Sequence, residues 1–334
     1  MRIIIDQGIP FLNGVFPAHF EVLYLAPEAI TPQAVRHADA LFVRTRTRIN
    51  KELLEGSSVR FVATATIGYD HIDTAYCQTR GIHWVSCPGC NAQAVCDYVE
   101  EAIRTMESKI LSIKSDKTPL SVGVVGYGNV GKLVAQMASQ RGYQVLLSDP
   151  PLGIGSSLRE IAPLCDVLTF HTPLTRDGEH PTYHLLSEET LRLCRPHALI
   201  INAARGGVIH EQALLSRLIA SSPHRLIASS PLASHLSTAI DCWEGEPLLN
   251  YQLLQLSDLA SFHIAGYSIQ GKMRASEMCL LAFCEFFSLP ILSINKKVVP
   301  LHGDSATGWL SRITQQLKAN PEHFEQLRKQ YKLR

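Results

Sequence analysis

Short apolar segments alternate with helical patterns along the first ninety residues of this 334-residue chain. Short apolar runs are typical of buried strands, whereas apolar positions every three or four residues are typical of helices. Helix starts are marked by Thr31 before Pro32 and by Asn50 before the run 51–55, which Gly56 ends. This βαβ rhythm predicts a first α/β domain with strands at residues 2–5, 22–25, 40–43, 61–65 and 84–85.

A longer helical pattern follows from residue 92 to about residue 113, and Asn91 stands where a helix N-cap belongs. After the polar stretch 114–118 a second series of apolar strands begins. We therefore predict an α/β fold of two Rossmann-like doubly wound parallel-sheet domains with a cleft between them, plus a short C-terminal extension. The strands of the second domain are expected at residues 120–125, 145–148, 166–170, 198–202 and 238–241.

The sequence contains a tandem repeat of eight residues, 217–224 followed by 225–232, with seven of the eight positions identical. A single duplication cannot build a solenoid, because several stacked repeats are needed to bury a continuous core. We interpret it as a duplicated helix end that forms an enlarged surface loop before the strand reaching Asp241.

Composition narrows the class of protein. A net charge of +1 with 46% hydrophobic residues suits a globular protein and supplies no broad attraction for nucleic acid or anionic membranes. The N-terminal apolar run is too short for a signal peptide, and no uncharged apolar stretch approaches the roughly 18 residues that a bilayer span needs. The nine cysteines, several of them inside predicted elements, favour a reducing, cytoplasmic compartment.

Cys87 and Cys90 have the spacing of a metal-binding or redox pair. No second pair follows at zinc-ribbon spacing, and the intervening Pro88 and Gly89 favour a turn. We therefore expect no metal site.

A Gly-x-Gly-x-x-Gly motif follows the apolar strand 122–125 and opens the helical pattern 132–140. In that context the first glycine allows a tight turn, the second lets the backbone approach a pyrophosphate, and the third permits close helix packing. A glycine-rich turn in an α/β protein without a cofactor is the alternative. The motif predicts a dinucleotide site formed by Gly126, Gly128, Asn129, Val130 and Gly131.

Asp149 ends the next predicted strand, about 20 residues after the glycines, where a carboxylate can accept hydrogen bonds from the ribose hydroxyls of NAD. The same carboxylate would repel the 2′-phosphate of NADP. Pro150 and Pro151 follow it, so no cation is adjacent to receive that phosphate. The predicted cofactor is therefore NAD.

Polar residues stand at or beyond the ends of three later strands: Arg205, the pair Asp241 and Glu246, and His263. Oxidation of a 2-hydroxy acid needs a cation for the carboxylate, a base for the hydroxyl proton and a group that tunes the base. Arg205, His263 and Glu246 can supply these functions. Taken singly, the arginine can also form a surface ion pair, and the histidine can be a packed, hydrogen-bonded residue.

Three ordered stretches around these residues resemble the signatures of the D-isomer-specific 2-hydroxyacid dehydrogenase family: IINAARGG at 200–207, DCWEGEP at 241–247 and SFHIAGY at 261–267. The resemblance implies an NAD-dependent oxidoreductase whose catalytic residues are Arg205, Glu246 and His263. His263 is then the proton donor or acceptor, and Glu246 holds its imidazole and raises its pKa.

Less generic stretches extend the resemblance over nearly the whole chain: FVRTRT at 42–47, TATIGYDH at 64–71, PGCNA at 88–92 and TFHTP at 169–173. They are similar to members of the family that oxidise a small phosphorylated 2-hydroxy acid in vitamin B6 biosynthesis. This resemblance implies that Thr45, Thr66 and Tyr267 contact the substrate. It also implies NAD contacts from Asp149, Thr172, Asp241 and Gly266, with Asp241 at the nicotinamide carboxamide.

Arg44, Arg46 and Arg48 alternate at the period of a strand, so their side chains can share one face and offer a positive site of the size of a phosphate. We accordingly include Arg44 among the predicted substrate ligands. For Arg46 and Arg48, a solvated charge run on an edge strand is an equally good interpretation.

The resemblance also implies a domain division. Residues 1–92 with 264–290 form a substrate-binding lid domain, residues 93–263 the NAD-binding domain, and residues 291–334 a shortened dimerisation region. Within that region 323–331 resembles part of the family's dimerisation domain, so we expect a homodimer. Two alternatives stay open: a family member acting on D-3-phosphoglycerate or hydroxypyruvate, and a binding protein that senses NAD(H) without catalysis.

Overall fold

The computed structural model describes residues 1–114, 118–221, 236–294 and 308–333. The strands are β1 Arg2–Asp6, β2 Glu21–Leu25, β3 Ala40–Val43, β4 Phe61–Thr64, β5 His83–Val85, β6 Ser121–Val125, β7 Gln144–Asp149, β8 Ile154–Gly155, β9 Val167–Phe170, β10 Leu199–Asn202, β11 Ser237–Ile240 and β12 Leu259–Ala260. The α-helices are α1 Pro32–Val35, α2 Lys51–Leu54, α3 Thr74–Thr79, α4 Ala92–Ile113, α5 Asn129–Gln140, α6 Leu158–Ile161, α7 Glu188–Leu193, α8 Glu211–Ser221, α9 Tyr251–Leu256, α10 Ile269–Phe286, α11 Trp309–Ala319 and α12 Phe324–Gln330.

Each strand predicted from the apolar runs is present to within one residue at either end, which confirms the α/β assignment. The two-residue strands β8 and β12 were not predicted, because segments so short show no periodicity. Among the helices of the described residues, none combines the length and hydrophobicity that a bilayer crossing requires.

The described residues form two compact units. One contains Met1–Asn91 and the described part of Tyr267–His302, and the other contains the described parts of Ala92–Gly266 and Gly303–Arg334. The C-terminal helices thus pack within the second unit, whereas the sequence placed residues 291–334 in a region of their own. Their attachment is polar as well as apolar: Thr314 Oγ1 accepts from Ala260 N at 2.9 Å, and Lys318 Nζ donates to Ser257 O at 2.6 Å. The dimerisation role of this region stays a prediction.

The first unit is built on a parallel sheet with strand order β2-β1-β3-β4-β5. Side chains alternate between its faces, as the two-residue period of a strand requires. Ile3 and Ile5 pack with Phe283 of α10 on one face, while Ile4 packs with Leu54 of α2 on the other. Because both faces are covered, the central strands β1, β3 and β4 consist mainly of buried apolar residues, which is why simple apolar runs predicted them.

Two of the three predicted helix caps in this part of the chain are confirmed. Thr31 Oγ1 accepts from Ala34 N at 3.3 Å, and Asn50 Oδ1 accepts from Leu53 N at 3.1 Å. The third was wrong, because Asn91 Oδ1 is buried without a hydrogen-bond partner among the described residues. Asn91 belongs to the turn that precedes α4 and packs closely against Gly271 of α10, a tertiary contact that sequence does not reveal.

The second unit contains a sheet of order β12-β11-β10-β9-β6-β7-β8, parallel except for β8 at its edge. Chain order reverses at β6, since β7 lies on one side of it and β9 on the other. In open α/β sheets ligands bind beyond the C-terminal ends of the strands at such a reversal. This edge of the sheet is therefore where a site is expected.

Asp166 lies just before β9, at the N-terminal ends of the parallel strands and thus opposite to the expected site. Its buried carboxylate receives hydrogen bonds from Lys114 Nζ at 2.8 Å, Arg195 Nη1 at 2.6 Å and the backbone N of Ser121 at 2.9 Å. Burial by itself would raise the pKa of Asp166, but these donors and His197 outweigh it and hold the pKa well below its usual range. The network ties the end of α4 to β6 and β9.

The duplicated octapeptide begins inside α8, which extends to Ser221. Residues 222–235 lie outside the described residues, and with them most of the surface loop that we predicted. The described chain resumes at Leu236, directly before β11 and Asp241.

Candidate active site

The residues predicted for cofactor binding and catalysis in the second unit follow adjacent strands at one edge of its sheet. Across the sheet, from β12 to β7, they are His263, then Asp241 and Glu246, then Arg205, Thr172, the glycine-rich turn 126–131 and Asp149. Gly266 lies three residues beyond His263 in the same loop. Because parallel strands end at the same edge, the fold gathers positions that are far apart in sequence.

The three glycines of the motif meet different surroundings. Gly126 has a φ of 92°, and a Cβ there would lie 2.8 Å from the carbonyl of His171. A Cβ on Gly131 would lie 1.9 Å from the carbonyl oxygen of Gly126, so only glycine lets α5 pack against the turn. Gly128 has no atom within 4 Å of its Cβ position, which leaves room for an approaching ligand.

Helix α5 begins at this turn with no side chain capping its first N–H groups. Exposed amide donors at a helix N-terminus, together with the helix dipole, favour a bound phosphate. Asp149 stands beside them, since its Oδ2 accepts from Tyr127 N at 2.6 Å. The arrangement suits the pyrophosphate and adjoining ribose of a dinucleotide.

Two buried polar atoms next to the turn have no hydrogen-bond partner among the described residues: His171 Nδ1 and Thr172 Oγ1. Burial lowers the pKa of His171 to about 3, so its imidazole is neutral at physiological pH. Buried donors and acceptors are normally satisfied, and a polar ligand can satisfy Thr172 here. The residues at this edge therefore fit NAD.

Arg205 lies in a loop that is held by hydrogen bonds from Asn202 and by the close packing of Gly206. Asn202 Nδ2 donates to the carbonyl of Arg205 at 3.1 Å and to that of Cys242 at 2.9 Å, which joins the loops after β10 and β11. Gly206 lies so close to the Trp243 carbonyl that a Cβ would come within 2.0 Å of its oxygen. The Arg205 side chain is exposed and forms no ion pair with any described residue, so the surface ion-pair interpretation is not supported.

His263 and Glu246 form a hydrogen-bonded pair, with Nδ1 2.8 Å from Oε2. Glu246 Oε1 in turn accepts from Trp243 N at 2.8 Å, so both carboxylate oxygens are engaged. His263 adopts a φ of 59°, a left-handed conformation that residues other than glycine seldom take and that is often found at functional sites. The carboxylate therefore orients the ring and leaves Nε2 for proton exchange.

The pKa of His263 is raised well above its usual value. The neighbouring Cys242 sulfur, the Glu246 carboxylate and Asp241 raise it, and burial opposes them. Burial also raises the pKa of the Cys242 thiol, and a protonated thiol carries no charge. Of the remaining causes, the hydrogen bond to Glu246 and the charge of Asp241 raise the pKa and burial lowers it. The role of Glu246 in raising the pKa of His263 stays a prediction.

Asp241 holds the loop that carries His263. Its buried carboxylate accepts from Ser261 Oγ at 2.6 Å, Ile264 N at 2.8 Å and Ala265 N at 2.9 Å, and its backbone oxygen accepts from His263 N at 3.0 Å. These bonds on both sides of His263 account for its left-handed conformation. The sequence did not reveal this role, and the predicted contact of Asp241 with the nicotinamide carboxamide stays a prediction.

The predicted substrate residues lie in the first unit. Thr45 is exposed in a turn after β3. Thr66 belongs to a chain of hydrogen bonds in which His71 Nε2 lies 3.0 Å from Thr64 Oγ1, and Thr64 Oγ1 lies 2.7 Å from Thr66 Oγ1. Thr66 Oγ1 also donates to Gly68 O at 2.9 Å. Because that hydroxyl has one hydrogen, Thr64 donates to Thr66, and His71 donates to Thr64 from Nε2.

Asp6 fixes the side chain of Arg44, because the Asp6 carboxylate accepts hydrogen bonds from Arg44 Nε and Nη2 at 2.9 Å each. The argument from strand period was wrong for Arg46 and Arg48: β3 ends at Val43, and residues 45–46 form a turn. The reversal after Arg44 is closed by a hydrogen bond from Thr47 N to the Arg44 carbonyl at 3.1 Å. Alternation within a strand therefore does not place the three arginines on one face.

Lys272 of α10 is a cation near this group that the sequence did not single out. Its Nζ lies 5.7 Å from the ring centre of Tyr267. Burial, followed by the nearby positive charge of Arg44, lowers the pKa of Lys272. Lys272 beside Tyr267, with the guanidinium of Arg44 near enough to lower the pKa of Lys272, makes a site suited to an anion. A lysine four residues into a helix carries no motif, so only the packing of α10 could identify it.

No cluster of three or more potential metal ligands occurs among the described residues. Cys87 and Cys90 flank a turn closed by a hydrogen bond from Cys90 N to Cys87 O at 3.2 Å, as predicted. The Cys87 sulfur lies 3.4 Å from that of Cys279 inside the core, and burial raises the pKa of Cys90 to about 12. These thiols pack as apolar groups.

Comparison with known proteins decides the family. Residues 99–265 match the model of the D-isomer specific 2-hydroxyacid dehydrogenase, NAD binding domain. An erythronate-4-phosphate dehydrogenase of Bacteroides fragilis is 38% identical over the whole of this chain and 97% of its own. The chain belongs to the D-isomer specific 2-hydroxyacid dehydrogenase family.

Other relatives of this dehydrogenase agree. An erythronate-4-phosphate dehydrogenase of Pseudomonas syringae is 38% identical over 96% of this chain and 80% of its own. Among solved structures, the NAD⁺-bound 3-phosphoglycerate dehydrogenase of Entamoeba histolytica has a TM-score of 0.67 at 21% identity, covering 89% of this chain and 99% of its own. At that identity the likeness shows the fold alone.

Asp149 provides a test of cofactor choice in this dehydrogenase. We expect Asp149→Ala to lower the preference for NAD over NADP by at least about tenfold, because the ribose hydroxyls lose an acceptor and the 2′-phosphate loses a repelling charge. Binding constants for NADH and NADPH, measured by fluorescence titration, give the ratio. Glu160→Gln, an exposed change in the same unit, is the control and should leave the ratio unchanged. An unchanged ratio in Asp149→Ala would show that Asp149 does not face the ribose.

Proposed function

We propose that this dehydrogenase oxidises erythronate 4-phosphate at C2 to 2-oxo-3-hydroxy-4-phosphobutanoate, as a step of pyridoxal 5′-phosphate (vitamin B6) biosynthesis. The observation that carries the proposal is the match of the whole chain, at 38% identity, to relatives bearing that enzyme's name. The hydrogen-bonded pair of His263 and Glu246 and the exposed Arg205 supply the chemistry that such a reaction requires.

His263 is the general base for oxidation. Its Nδ1 faces Glu246, so Nε2 takes the proton of the C2 hydroxyl, and Glu246 stabilises the imidazolium that forms. In the reverse direction the same imidazolium returns the proton to the carbonyl oxygen. A pKa of His263 above its usual value favours protonation of the ring as the proton leaves the substrate hydroxyl.

Arg205 binds the substrate carboxylate and the oxygen at C2. Its Nη1 donates to the carbonyl of Ala204 at 2.8 Å, and Nε and Nη2 can offer two parallel N–H donors to an anion. The same charge stabilises the oxygen as the proton leaves it. The bond from Asn202 and the close packing of Gly206 hold the loop in place.

NAD, when bound, accepts the hydride from C2. We propose that the turn 126–131 holds its pyrophosphate and Asp149 its ribose, with Thr172, Asp241 and Gly266 as the further contacts implied by the resemblance. The free amides of α5, the open space at Gly128 and the unpaired Thr172 hydroxyl support this assignment.

For the substrate we propose contacts from Thr45, Thr66 and Tyr267, and binding of its phosphate by Arg44 together with Lys272. The guanidinium of Arg44, fixed by the carboxylate of Asp6, and the nearby Lys272 together support an anion site with a net positive charge. Such contacts would favour a phosphorylated substrate over a simple hydroxy acid.

A substrate comparison tests the proposal directly. NADH formation should be measured with erythronate 4-phosphate, erythronate and D-3-phosphoglycerate, and kcat/KM should be highest for the first by at least about a hundredfold. Arg44→Gln and Lys272→Gln should narrow the gap between erythronate 4-phosphate and erythronate. Equal or greater kcat/KM with D-3-phosphoglycerate would contradict the substrate while leaving the dehydrogenase class intact. NADH binding with no turnover of any of the three would favour a binding protein.

We further propose that the protein is a cytoplasmic homodimer. Nine free, buried cysteines support a reducing compartment, and the resemblance of residues 323–331 to the family's dimerisation domain supports the dimer. Sedimentation of the purified protein measures the oligomeric state, and a monomer at the concentration of the assay would contradict it.

A further inference from the structure

The C-terminal segment of the second unit reaches the catalytic pair. Helix α11 is bonded to the backbone of β12 through Thr314, and beyond α12 the ring of Tyr331 lies 5.9 Å from that of Phe262, the residue before His263. Phe324 at the start of α12 is buried. The segment is therefore anchored to the strand and to the residue that lead into His263.

Arg328 of α12 lies beside Glu246. Its Nη1 is 3.8 Å from Glu246 Oε2, the same oxygen that faces His263 Nδ1 at 2.8 Å. A second contact, from Nη2 to Glu325 Oε1 at 3.2 Å, holds the guanidinium on its helix. One carboxylate oxygen is thus shared by an imidazole that can be charged and a guanidinium that always is.

We propose that Arg328 is a positioning residue for the proposed reaction: its charge on Glu246 sets the pH range over which His263 gives and takes its proton. A permanent positive charge at the shared oxygen weakens the hold of Glu246 on imidazolium. Without it, Glu246 would stabilise the protonated ring more strongly and delay its release of the proton.

Other charged or titratable groups lie around the pair, and the proposed mechanism also places the guanidinium of Arg205 at the substrate oxygen that His263 serves. Asp241 and Cys242 adjoin His263 from the loop after β11. Burial, with nearby Glu244 and Glu246, raises the pKa of Glu211 of α8 to about 7. Among the ion pairs of the described residues, Glu246 has only His263 and Arg328 as cationic partners. Arg328 is therefore the permanent positive charge that is paired with Glu246 itself.

The sign of the effect follows from electrostatics. Arg328→Gln removes a positive neighbour, so the pKa of His263 should rise, by about half a unit to one unit in these partly exposed surroundings. Oxidation needs neutral His263, and reduction needs the imidazolium. At a fixed pH below the pKa, oxidation should therefore slow by about three- to tenfold, while at a fixed pH above it reduction should accelerate by a similar factor.

The titration of His263 in the full-length protein without ligands is the primary measurement. The ¹H–¹³C NMR signal of its imidazole, assigned by its loss in His263→Asn, is followed against pH in wild type, Arg328→Gln, Arg328→Lys and Lys329→Gln. Lys329 is the matched control, since it is the next residue of the same helix, exposed, and without an ion pair to Glu246. Only Arg328→Gln should shift the titration upward, with Arg328→Lys and Lys329→Gln within about 0.2 pH unit of wild type.

A wild-type titration in Arg328→Gln would overturn the proposal. Equal shifts in Arg328→Gln and Arg328→Lys would also overturn it, because packing and not charge would then be responsible. The NMR titration needs no substrate, so absence of activity with erythronate 4-phosphate would count against the proposed function alone. Where activity is found, opposite changes in oxidation and reduction rates provide a second readout that a merely structural role would not produce.

Discussion

Replacement of His263 by asparagine is expected to lower kcat by about 10³- to 10⁴-fold, at the upper end of what a general acid–base group contributes. The asparagine amide cannot accept the proton of the C2 hydroxyl, and a hydrogen bond between this amide and Glu246 cannot hold that proton either. Asparagine tolerates the left-handed backbone at this position, so the loop should keep its conformation. NAD affinity should stay within about threefold of wild type, because the ring is not a proposed contact for the dinucleotide.

His184 is a matched control for that substitution. It too has a left-handed backbone, with a φ of 53°, and its Nε2 lies 2.9 Å from a glutamate oxygen, that of Glu244. His184→Asn therefore removes a histidine–glutamate pair from the same unit outside the proposed machinery, and kcat should change by less than about threefold. Steady-state kinetics and NADH titration of both variants decide the matter. Comparable losses in the two, or a loss below about tenfold in His263→Asn, would remove His263 from the role of base.

Gly131→Ala is expected to destabilise the second unit by about 1–3 kcal/mol and to abolish measurable NAD binding. The new Cβ would lie 1.9 Å from the carbonyl oxygen of Gly126 and 3.3 Å from a side-chain carbon of Val124. Backbone cannot yield as a flexible side chain does, so α5 must move away from the turn and carry its free N–H groups with it. Thermal unfolding and NADH titration measure the two consequences.

Gly128→Ala separates cofactor binding from stability. Its Cβ position is open, and its φ of −80° with ψ of −152° suits an alanine, so the unfolding temperature should not fall. The methyl group would occupy the space that the pyrophosphate approaches, and NAD affinity should fall at least about tenfold. Wild-type affinity in Gly128→Ala would place the pyrophosphate elsewhere, and a stable Gly131→Ala that binds NAD would show that the turn can relax.

Many of the strands could be predicted from sequence because they lie inside a sheet whose two faces are both covered. β1, β3, β4, β6, β9 and β10 are covered on both faces, so each is a plain apolar run between turn residues. Helix caps are more uncertain, as Asn91 shows, because a side chain can cap or pack and the choice depends on distant neighbours such as Gly271. The run 44–48 was misjudged for a related reason: alternation predicts a strand only where the chain stays extended, and here it turns after Val43.

By itself the sequence determined the α/β class, the glycine-rich turn and the NAD cofactor, and it singled out Asp149, Arg205, Glu246 and His263 as candidate site residues, because each depends on local order or on a motif. Only the tertiary structure decided how these residues are held: Asp241 grips both sides of His263, Asp6 fixes Arg44, and Arg328 reaches Glu246. Such contacts join residues up to 82 positions apart, as between Glu246 and Arg328. No local pattern encodes them, since hydrogen bonds and charge interactions depend on distance in space and not on separation along the chain.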